Sequence, residues 1–218
     1  MNESTAIGMA VLTNMQIGAK KLLQAFSDNK HELRDTMHEV SKLLAQESNT
    51  KSETPARSVH LIGVGFSQVV AEMAKEILLR AYVKADMVIP GNLSHGTITQ
   101  LQKGDIAILI SKTGETAETL AACDMVKNAG CICIGVTEKA DSSLVRSCDK
   151  VLILPEVAEA IPGSRMPTVS AMNMEQMFMT IGGMITGLNG NNYHTDGAHP
   201  GGTAKSPAFA LPKSALQD

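Results

Sequence analysis

Aromatic residues are scarce in this chain, which has no tryptophan, two tyrosines and four phenylalanines. Proteins that bind single-stranded nucleic acid stack the bases on aromatic side chains. The formal net charge of −3 also gives no basic surface for a nucleic acid or an anionic membrane. The composition therefore excludes these two classes of partner from our expectations.

Long apolar runs are missing as well. No run approaches the roughly 18–20 residues that a membrane-spanning helix needs. The first residues contain no basic segment followed by an apolar one, so we expect no signal peptide. A cytoplasmic protein is the expectation.

The four cysteines do not have the spacing of a redox or zinc site. Cys131 and Cys133 alternate along a predicted strand, whereas such sites use a Cys-x-x-Cys spacing. Cys123 and Cys148 stand alone. We therefore predict reduced thiols that pack in the core, and no metal site.

Hydrophobic spacing predicts an α/β fold. Residues 5–27 and 30–45 have the pattern of two amphipathic helices, and residues 48–55 form a polar linker. Strands and helices then alternate, which is typical of a parallel sheet covered on both faces. The predicted strands are 58–65, 85–89, 105–110, 131–136 and 150–154, and the predicted helices are 67–81, 116–128 and 168–188. The fold class is a doubly wound, three-layer αβα sandwich with five parallel strands.

The chain is predicted to comprise three regions. N-terminal helices over residues 1–50 pack on a core domain over 51–205, and a flexible tail follows over 206–218. The last helix is rich in methionine, which predicts packing in the core or at a subunit interface.

One strand ends at a segment suited to hold a phosphate. After the apolar run 105–110, Ser111, Thr113 and Thr116 supply hydroxyls, and Gly114 lets the backbone turn closely. The start of the following helix adds N–H groups and a partial positive charge. Glu115 lies in the same loop, where a carboxylate beside a phosphate suggests a catalytic role.

A second strand end carries Gly63-Val-Gly-Phe-Ser67. The third glycine of a dinucleotide fingerprint is missing, because position 68 is glutamine. No Gly-Lys-Ser/Thr sequence of a nucleotide-binding P-loop occurs either. We therefore expect no nucleotide and no other cofactor. Since ligands of such sheets bind beyond the carboxyl ends of the strands, Gly65 and Ser67 are expected beside the first loop.

Together these motifs resemble the sugar isomerase (SIS) domain. The likeness rests on Gly63–Ser67, Ser111–Thr116, and Pro167-Thr-Val-Ser170 at the start of the long helix, and it covers roughly residues 30–205. Within the family, Ser94-His-Gly96 and His199-Pro-Gly-Gly202 are similar to arabinose-5-phosphate isomerases. The CBS modules that often follow this domain are not part of the sequence.

The resemblance implies an aldose–ketose isomerase acting on a sugar phosphate, with a proton moved between C1 and C2. It implies that Glu115, His95 and His199 surround the sugar. It also implies a homodimer or homotetramer with shared active sites. The implied phosphate ligands are Ser67, Ser111, Thr113 and Thr116, with Lys112, Gly65, Gly114, Ser170 and Glu175 as further candidates.

The sequence departs from the family at Phe66, where arabinose-5-phosphate isomerases carry a lysine. A phenyl ring donates no hydrogen bond to a phosphate, although Lys112 in the other loop is a candidate replacement. This departure leaves a sugar-phosphate-binding module without catalysis as an alternative. The pair Glu175-Gln176 is similar to hexulose-6-phosphate isomerases, which form a third possibility.

Overall fold

The computed structural model describes residues 3–28, 32–47, 57–93, 96–159 and 168–188. Five strands form one sheet, and all of them run parallel. In sheet order, β2-β1-β3-β4-β5, their bounds are Ala85–Val88, Val59–Gly63, Ile106–Ile110, Ile132–Thr137 and Lys150–Ile153. The predicted five-stranded parallel sheet is confirmed.

Helices cover both faces of the sheet, so the three-layer prediction is also confirmed. The helices are α1 (Glu3–Ser27), α2 (Glu32–Glu47), α3 (Phe66–Arg80), α4 (Pro90–Leu93), α5 (Ala117–Asn128), α6 (Ser143–Ser147) and α7 (Thr168–Leu188). One apolar cluster joins the sheet to α1, α2, α3 and α7. A second cluster joins the opposite face to α4, α5 and α6.

The central strand shows why the sheet needs two apolar layers. All five residues of β3 are buried. Ile106, Ile108 and Ile110 belong to the first cluster, whereas Ala107 and Leu109 belong to the second. Alternate side chains of a strand point to opposite faces, so a strand covered on both sides has to be apolar throughout.

Three short elements were not predicted from the sequence. They are α4, a 3-10 turn at Thr97–Gln100, and α6. Each has four or five residues, which is too short for a helical repeat of apolar positions to be recognised. The other predicted elements occur with ends within two residues of the prediction.

The strand order creates the crevice in which such sheets bind ligands. Chain connections leave β1 and β3 in opposite directions, since α3 packs on one face and α5 on the other. The two strands are neighbours, and Gly63 pairs with Ile110 at their carboxyl ends. The loops after β1 and β3 therefore start side by side at the topological switch point.

The long helix α7 packs against three other helices of its layer, α1, α2 and α3. The predicted packing of its methionines in the core is confirmed for Met174 and Met177, which are buried. Met179 is exposed. Close contact with α1 depends on Gly18, because a Cβ there would lie 2.8 Å from Asn173 Oδ1 and 3.0 Å from Val169 Cγ1. The N-terminal helices thus pack on the core, while the exact domain bounds stay a prediction.

The four cysteines are free thiols. Cys131 and Cys133 pack in the same apolar cluster, as their alternation along the strand predicted.

In the described part of the chain, no helix is both long and apolar enough to cross a bilayer.

A buried carboxylate ties the amino ends of β1 and β3 together. Asp105 accepts hydrogen bonds from the backbone N–H groups of Ser58 (3.0 Å) and Gln102 (2.9 Å). His60 Nε2 lies 3.1 Å from the same carboxylate. Burial raises the pKa of Asp105, but the hydrogen bonds from Gln102, Ser58 and His60 outweigh it, so its pKa lies below the ordinary value.

Replacing Asp105 with alanine is expected to lower the free energy of unfolding by about 1–3 kcal/mol, because buried donors lose their acceptor. Since the folded-state pKa is depressed, the stabilisation is present above the unfolded pKa of about 3.9 and is lost as the pH falls through the folded value. Urea unfolding at several pH values measures both effects. Asp124→Ala, at an exposed position of α5, is the control. Equal losses for the two variants would contradict the role of Asp105.

Candidate functional site

The loop after β3 folds around its own hydroxyl groups. Ser111 is buried, and its Oγ lies 2.9 Å from Thr116 Oγ1. The backbone N–H of Gly114 donates to the same Ser111 Oγ at 3.1 Å. The N–H of Glu115 donates to Thr113 Oγ1 at 3.3 Å. The structure therefore brings the three predicted hydroxyl residues together in one loop.

The start of α5 is not capped by a side chain. Thr116 occupies the N-cap position but makes no capping hydrogen bond, because its hydroxyl pairs with Ser111 instead. The first N–H groups of a helix carry a partial positive charge and accept an anion readily. The geometry is therefore suited to a phosphate group at this end of α5.

Gly114 is required in the loop for two reasons. Its φ of +65° is a conformation that other residues adopt only with strain. In addition, a Cβ at this position would lie 2.2 Å from Ser142 Oγ and 3.1 Å from Thr137 Oγ1. The loop is thus packed directly against the chain that follows β4.

The loop after β1 is also built around glycines. A Cβ on Gly63 would lie 2.4 Å from the carbonyl oxygen of Ser67, so α3 starts directly above the strand end. Gly65 has a φ of +60° and precedes the first residue of α3, which is Phe66. Ser67 is half-buried in this first turn, while the Phe66 side chain is 38% exposed. The two predicted phosphate loops therefore leave adjacent strands.

Glu115, the predicted catalytic carboxylate, points to α6. Its Oε1 accepts a hydrogen bond from the Ser143 N–H at 2.7 Å. This hydrogen bond lowers the pKa of Glu115, and the positive charge of Arg146 adds to the effect. The exposed carboxylate of Glu115 thus binds the first turn of α6.

A second carboxylate contacts the loop at residues 111–116 and was not singled out from the sequence. Lys112 Nζ lies 2.6 Å from Glu159 Oε1, and the side chains are 32% and 14% exposed, respectively. Lys112 is therefore an ion-paired residue. Glu159 follows β5, so both residues lie at the carboxyl edge of the sheet.

Glu159 is held by the start of α7 as well. Its Oε2 accepts the Val169 N–H at 3.0 Å, and its Oε1 accepts the Ser170 hydroxyl at 2.6 Å. Burial raises the pKa of Glu159, but the hydrogen bonds from Lys112, Ser170 and Val169 outweigh it and lower the pKa overall. The carboxylate is thus a charged group held at the edge of the sheet.

Glu138 is a third carboxyl group in the same place. It directly follows β4, its side chain is buried, and its N–H donates to the carbonyl oxygen of Lys112 at 3.1 Å. Burial raises the pKa of Glu138, and the Ser170 side chain and the charge of Lys112 offset this only in part. The signal for Glu138 in the sequence is an acidic residue that directly follows a buried strand.

Not every predicted residue joins this group. Glu175 lies five residues beyond Ser170 on α7, which is a rise of about 7.5 Å and a rotation of about 140°. It is half-buried on another side of the helix. His95 and His199 lie outside the described residues, so their predicted roles stay predictions.

The described residues contain no group of three or more potential metal ligands. Two cavities lie away from the loop at residues 111–116. One, of about 520 Å³, lies around His60 and Asp105 at the amino edge of the sheet. The other, of about 780 Å³, lies between α2 and β5. Neither cavity is lined by residues 111–116. The candidate site is therefore identified by the hydrogen bonds described above and not by a cavity.

Several curated relatives align with about half of this chain. The arabinose 5-phosphate isomerase KpsF of Escherichia coli is 32% identical over 112 residues, which cover 51% of this chain and 35% of that protein. The chain spans about a third of the length of this and other curated relatives that it matches.

Solved structures share the fold. A protein of Escherichia coli CFT073 in complex with arabinose 5-phosphate superposes with a TM-score of 0.71 and 24% identity, over 86% of this chain and 93% of that one. The Vibrio vulnificus NanR protein complexed with ManNAc-6P has a TM-score of 0.58 and 16% identity, over 88% of this chain and 63% of that one. At these identities the likeness concerns the fold alone.

The family comparison covers most of the sheet and its helices. A family model of the SIS domain matches residues 54–185, which include every strand, α3 to α6, and α7 as far as Ile185. Both phosphate-type loops and the Lys112–Glu159 ion pair lie within the match. The chain therefore belongs to the SIS domain family.

Proposed function

We propose that this protein interconverts the aldose and ketose forms of a sugar phosphate, with arabinose 5-phosphate and ribulose 5-phosphate as the pair. One observation carries the proposal. The uncapped start of α5, with its paired hydroxyls, lies in the same loop as Lys112, which binds the carboxylate of Glu159. A phosphate anchor and a charged acid–base pair therefore lie next to each other. A phosphate-binding module alone does not need the second part.

The chemistry requires these residue types. Aldose–ketose isomerisation starts when a base removes a proton bonded to carbon, and the resulting enediolate carries negative charge on oxygen. In the proposed reaction Glu159 takes the proton from C2 and returns it to C1, while the hydroxyl proton on O2 passes to O1. Lys112 stabilises the enediolate oxygen, as a cation does where charge develops.

Substrate binding also explains how a carboxylate with a lowered pKa becomes a base. In the structure, Lys112 is one of the groups that keep Glu159 ionised. When Lys112 turns toward the substrate oxygen, Glu159 loses that interaction, and its affinity for a proton rises. The same movement of Lys112 thus brings a positive charge to the substrate oxygen and raises the proton affinity of Glu159.

The residues named by the family resemblance complete the proposal. We assign the phosphate to Ser67, Ser111, Thr113 and Thr116 with the backbone at Gly65 and Gly114. His95, His199 and Glu115 are proposed around the sugar, where they assist ring opening.

Proton NMR of the purified protein in deuterated water tests the function directly. With arabinose 5-phosphate, ribulose 5-phosphate or fructose 6-phosphate present, an isomerase introduces deuterium at C1 or C2 and forms the paired sugar. Line broadening of a sugar phosphate without exchange or conversion would contradict catalysis. That result would favour the alternative, a sugar-phosphate-binding module, which is supported by Phe66 at the position of the family lysine.

We further propose a homodimer or homotetramer with active sites shared between subunits. Apolar side chains are exposed along the first turns of α3, at Phe66, Val69 and Met73, and along α1, at Ile7, Met9 and Leu12. An exposed apolar surface of this kind suits a subunit interface.

Shared sites predict complementation between inactive variants. His199→Ala subunits mixed with Glu115→Gln subunits are expected to regain part of the wild-type activity, because some mixed oligomers contain one intact site. Activity is measured after the two proteins have been unfolded and refolded together. Each variant refolded alone is the control, and a mixture no more active than those controls would argue against shared sites.

A further inference from the structure

Two of the free thiols, Cys123 and Cys148, lie in contact outside the candidate site. Cys123 belongs to α5, and Cys148 directly follows α6. Their Sγ atoms are 3.9 Å apart, which is the distance of a hydrogen bond between two sulfurs. The S–S bond of a disulfide is about 2.05 Å long. The two sulfurs are therefore neighbours that are not bonded in this structure.

Two further contacts hold together the segments that carry these thiols. Lys127, one turn after Cys123, donates a hydrogen bond from Nζ to the carbonyl oxygen of Ser147 at 2.6 Å. In β4, a Cβ at Gly135 would lie 3.1 Å from Cys148 Sγ and 3.5 Å from Cys148 Cβ. The chain after α6 thus lies close to the sheet because position 135 has no side chain. The packing of α5, α6 and β4 fixes the short distance between the sulfurs.

The two thiols differ in exposure and in acidity. Cys123 is buried, whereas Cys148 is half-buried and lines the cavity between α2 and β5. Hydrogen bonds from Cys133 and Cys148 lower the pKa of Cys123, and the bond to Cys123 raises the pKa of Cys148. The proton between the two sulfurs therefore stays on Cys148. Since the thiolate is the reactive form of cysteine, Cys123 is the better nucleophile of the pair.

We propose that Cys123 and Cys148 are a redox-sensitive pair, which a hydroperoxide converts to a disulfide and a thiol reductant restores. In reducing compartments, disulfides are mostly of this transient kind. Formation of the disulfide does not depend on the proposed isomerase function. Its effect on catalysis does.

The reaction has two balanced steps. In the first, the Cys123 sulfur attacks hydrogen peroxide, an S–O bond forms as the O–O bond breaks, and the released hydroxide takes up the proton that Cys123 gave up. In the second, the Cys148 sulfur attacks the sulfenic acid on Cys123, the S–O bond breaks, and the thiol proton of Cys148 leaves in water. Two thiols are thereby oxidised, and one peroxide is reduced to two molecules of water.

The disulfide acts on the candidate site through α6. The backbone N–H of Cys148 donates to the carbonyl oxygen of Leu144, and the N–H of Leu144 donates to the carbonyl oxygen of Gly114, both at 3.1 Å. The neighbouring N–H of Ser143 binds Glu115. To form the bond, the sulfurs have to approach from 3.9 Å to about 2.05 Å. Because α6 has only five residues and α5 has twelve, we expect α6 to move and to displace the loop that it contacts.

Oxidation is therefore expected to lower kcat/KM for arabinose 5-phosphate by about 10- to 100-fold, since a displacement of about 1 Å can cost that much. Dithiothreitol is expected to restore the activity. Cys148→Ala removes the partner of Cys123, so this variant should keep its activity at a peroxide concentration that inactivates the wild type. Equal losses in both proteins, or an unchanged kcat/KM in wild-type protein that carries the disulfide, would overturn the proposed effect on the site.

Mass spectrometry of the purified protein tests the disulfide without any substrate. After peroxide treatment the intact mass should fall by the mass of two hydrogens, and a digest without reductant should link Cys123 to Cys148. Cys131→Ala is the matched control and should form the same link, because this buried thiol lies in the same apolar cluster but contacts the carbonyl oxygen of Gln102. Added oxygen without a link, a link through Cys131 or Cys133, or an unchanged mass would overturn the proposal.

Amide NMR distinguishes failure of this inference from failure of the proposed function. The signals of Gly114 and Glu115 should shift when the wild-type protein is oxidised and return with reductant, and they should not shift in Cys148→Ala. Unchanged loop signals in a protein that carries the disulfide would overturn the coupling through α6. Shifted signals in a protein that isomerises no sugar phosphate would support the redox pair and overturn the proposed function alone.

Discussion

Gly114→Ala is expected to eliminate sugar-phosphate binding and to destabilise the protein by about 2–5 kcal/mol. The estimate combines about 1–2 kcal/mol for a non-glycine residue at positive φ with about 1–3 kcal/mol for overpacking. The added methyl group would lie 2.2 Å from Ser142 Oγ and 2.5 Å from Ser142 Cβ. The loop or the chain after β4 has to move, and the hydrogen bond from the Gly114 N–H to Ser111 moves with it. Thermal unfolding and calorimetric titration with arabinose 5-phosphate measure the two effects.

Gly65→Ala is the matched control for the stability change. Gly65 has a similar φ of +60°, but a Cβ there would meet nothing within 4 Å. Only the conformational part of the penalty applies, so a loss of about 1–2 kcal/mol is expected. Equal destabilisation by the two substitutions would show that contact with Ser142 does not constrain the loop.

Glu159→Gln is expected to lower kcat by at least about 100-fold, the range associated with loss of a general base. Glutamine has nearly the same shape, but its single carbonyl oxygen can accept the hydrogen bond from Val169 or the one from Ser170, not both. It cannot take the proton from carbon, and it leaves Lys112 without its charge partner. Steady-state rates, together with a separately measured dissociation constant, distinguish lost chemistry from lost binding.

Glu156→Gln provides the comparison, because Glu156 lies three residues away in an exposed ion pair with Lys139. Exposed pairs of this kind contribute about 0–1 kcal/mol, so a change of less than about fivefold is expected. If Glu159→Gln retained its rate while Glu115→Gln lost it, the base would be Glu115, one of the residues that the family resemblance places around the sugar. Our assignment to Glu159 would then be wrong.

Much of the fold was accessible from the sequence, because the strands are covered on both faces. A run such as 105–110 is apolar throughout, and its end is marked by polar residues. Helix α7 was predicted with its observed bounds, Thr168–Leu188. The two α-helices that were missed, α4 and α6, are held in place by tertiary packing, and their few residues show no repeat.

The arrangement of the loop at residues 111–116 was predictable for a related reason. Its hydroxyls, its glycine and the helix that follows are contiguous in sequence, so local chemistry predicts phosphate binding, which stays a prediction. The interaction of Glu159 with Lys112 joins residues 47 positions apart and exists only when the ends of β3 and β5 share one edge of the sheet. Glu159 also follows a strand without any motif, and nothing local distinguishes it from a surface glutamate.

The orientation of Glu115, in contrast, was not predictable. Its place in the loop suggested catalysis, which stays a prediction, and in the structure its carboxylate binds the backbone N–H of Ser143. Sequence shows which loop a side chain belongs to, but not the direction in which it points. That direction depends on α6, a helix that was not predicted.

The contact between Gly18 and α7 has a consequence for how the protein can be divided. The family match begins at residue 54, well after α1. Yet Val169, whose N–H binds Glu159, belongs to the turn of α7 that packs closely on Gly18. A fragment that starts at residue 54 would keep the described residues of the candidate site. It would lose α1, which packs against Val169. The smallest piece able to hold Glu159 in place therefore starts before residue 18.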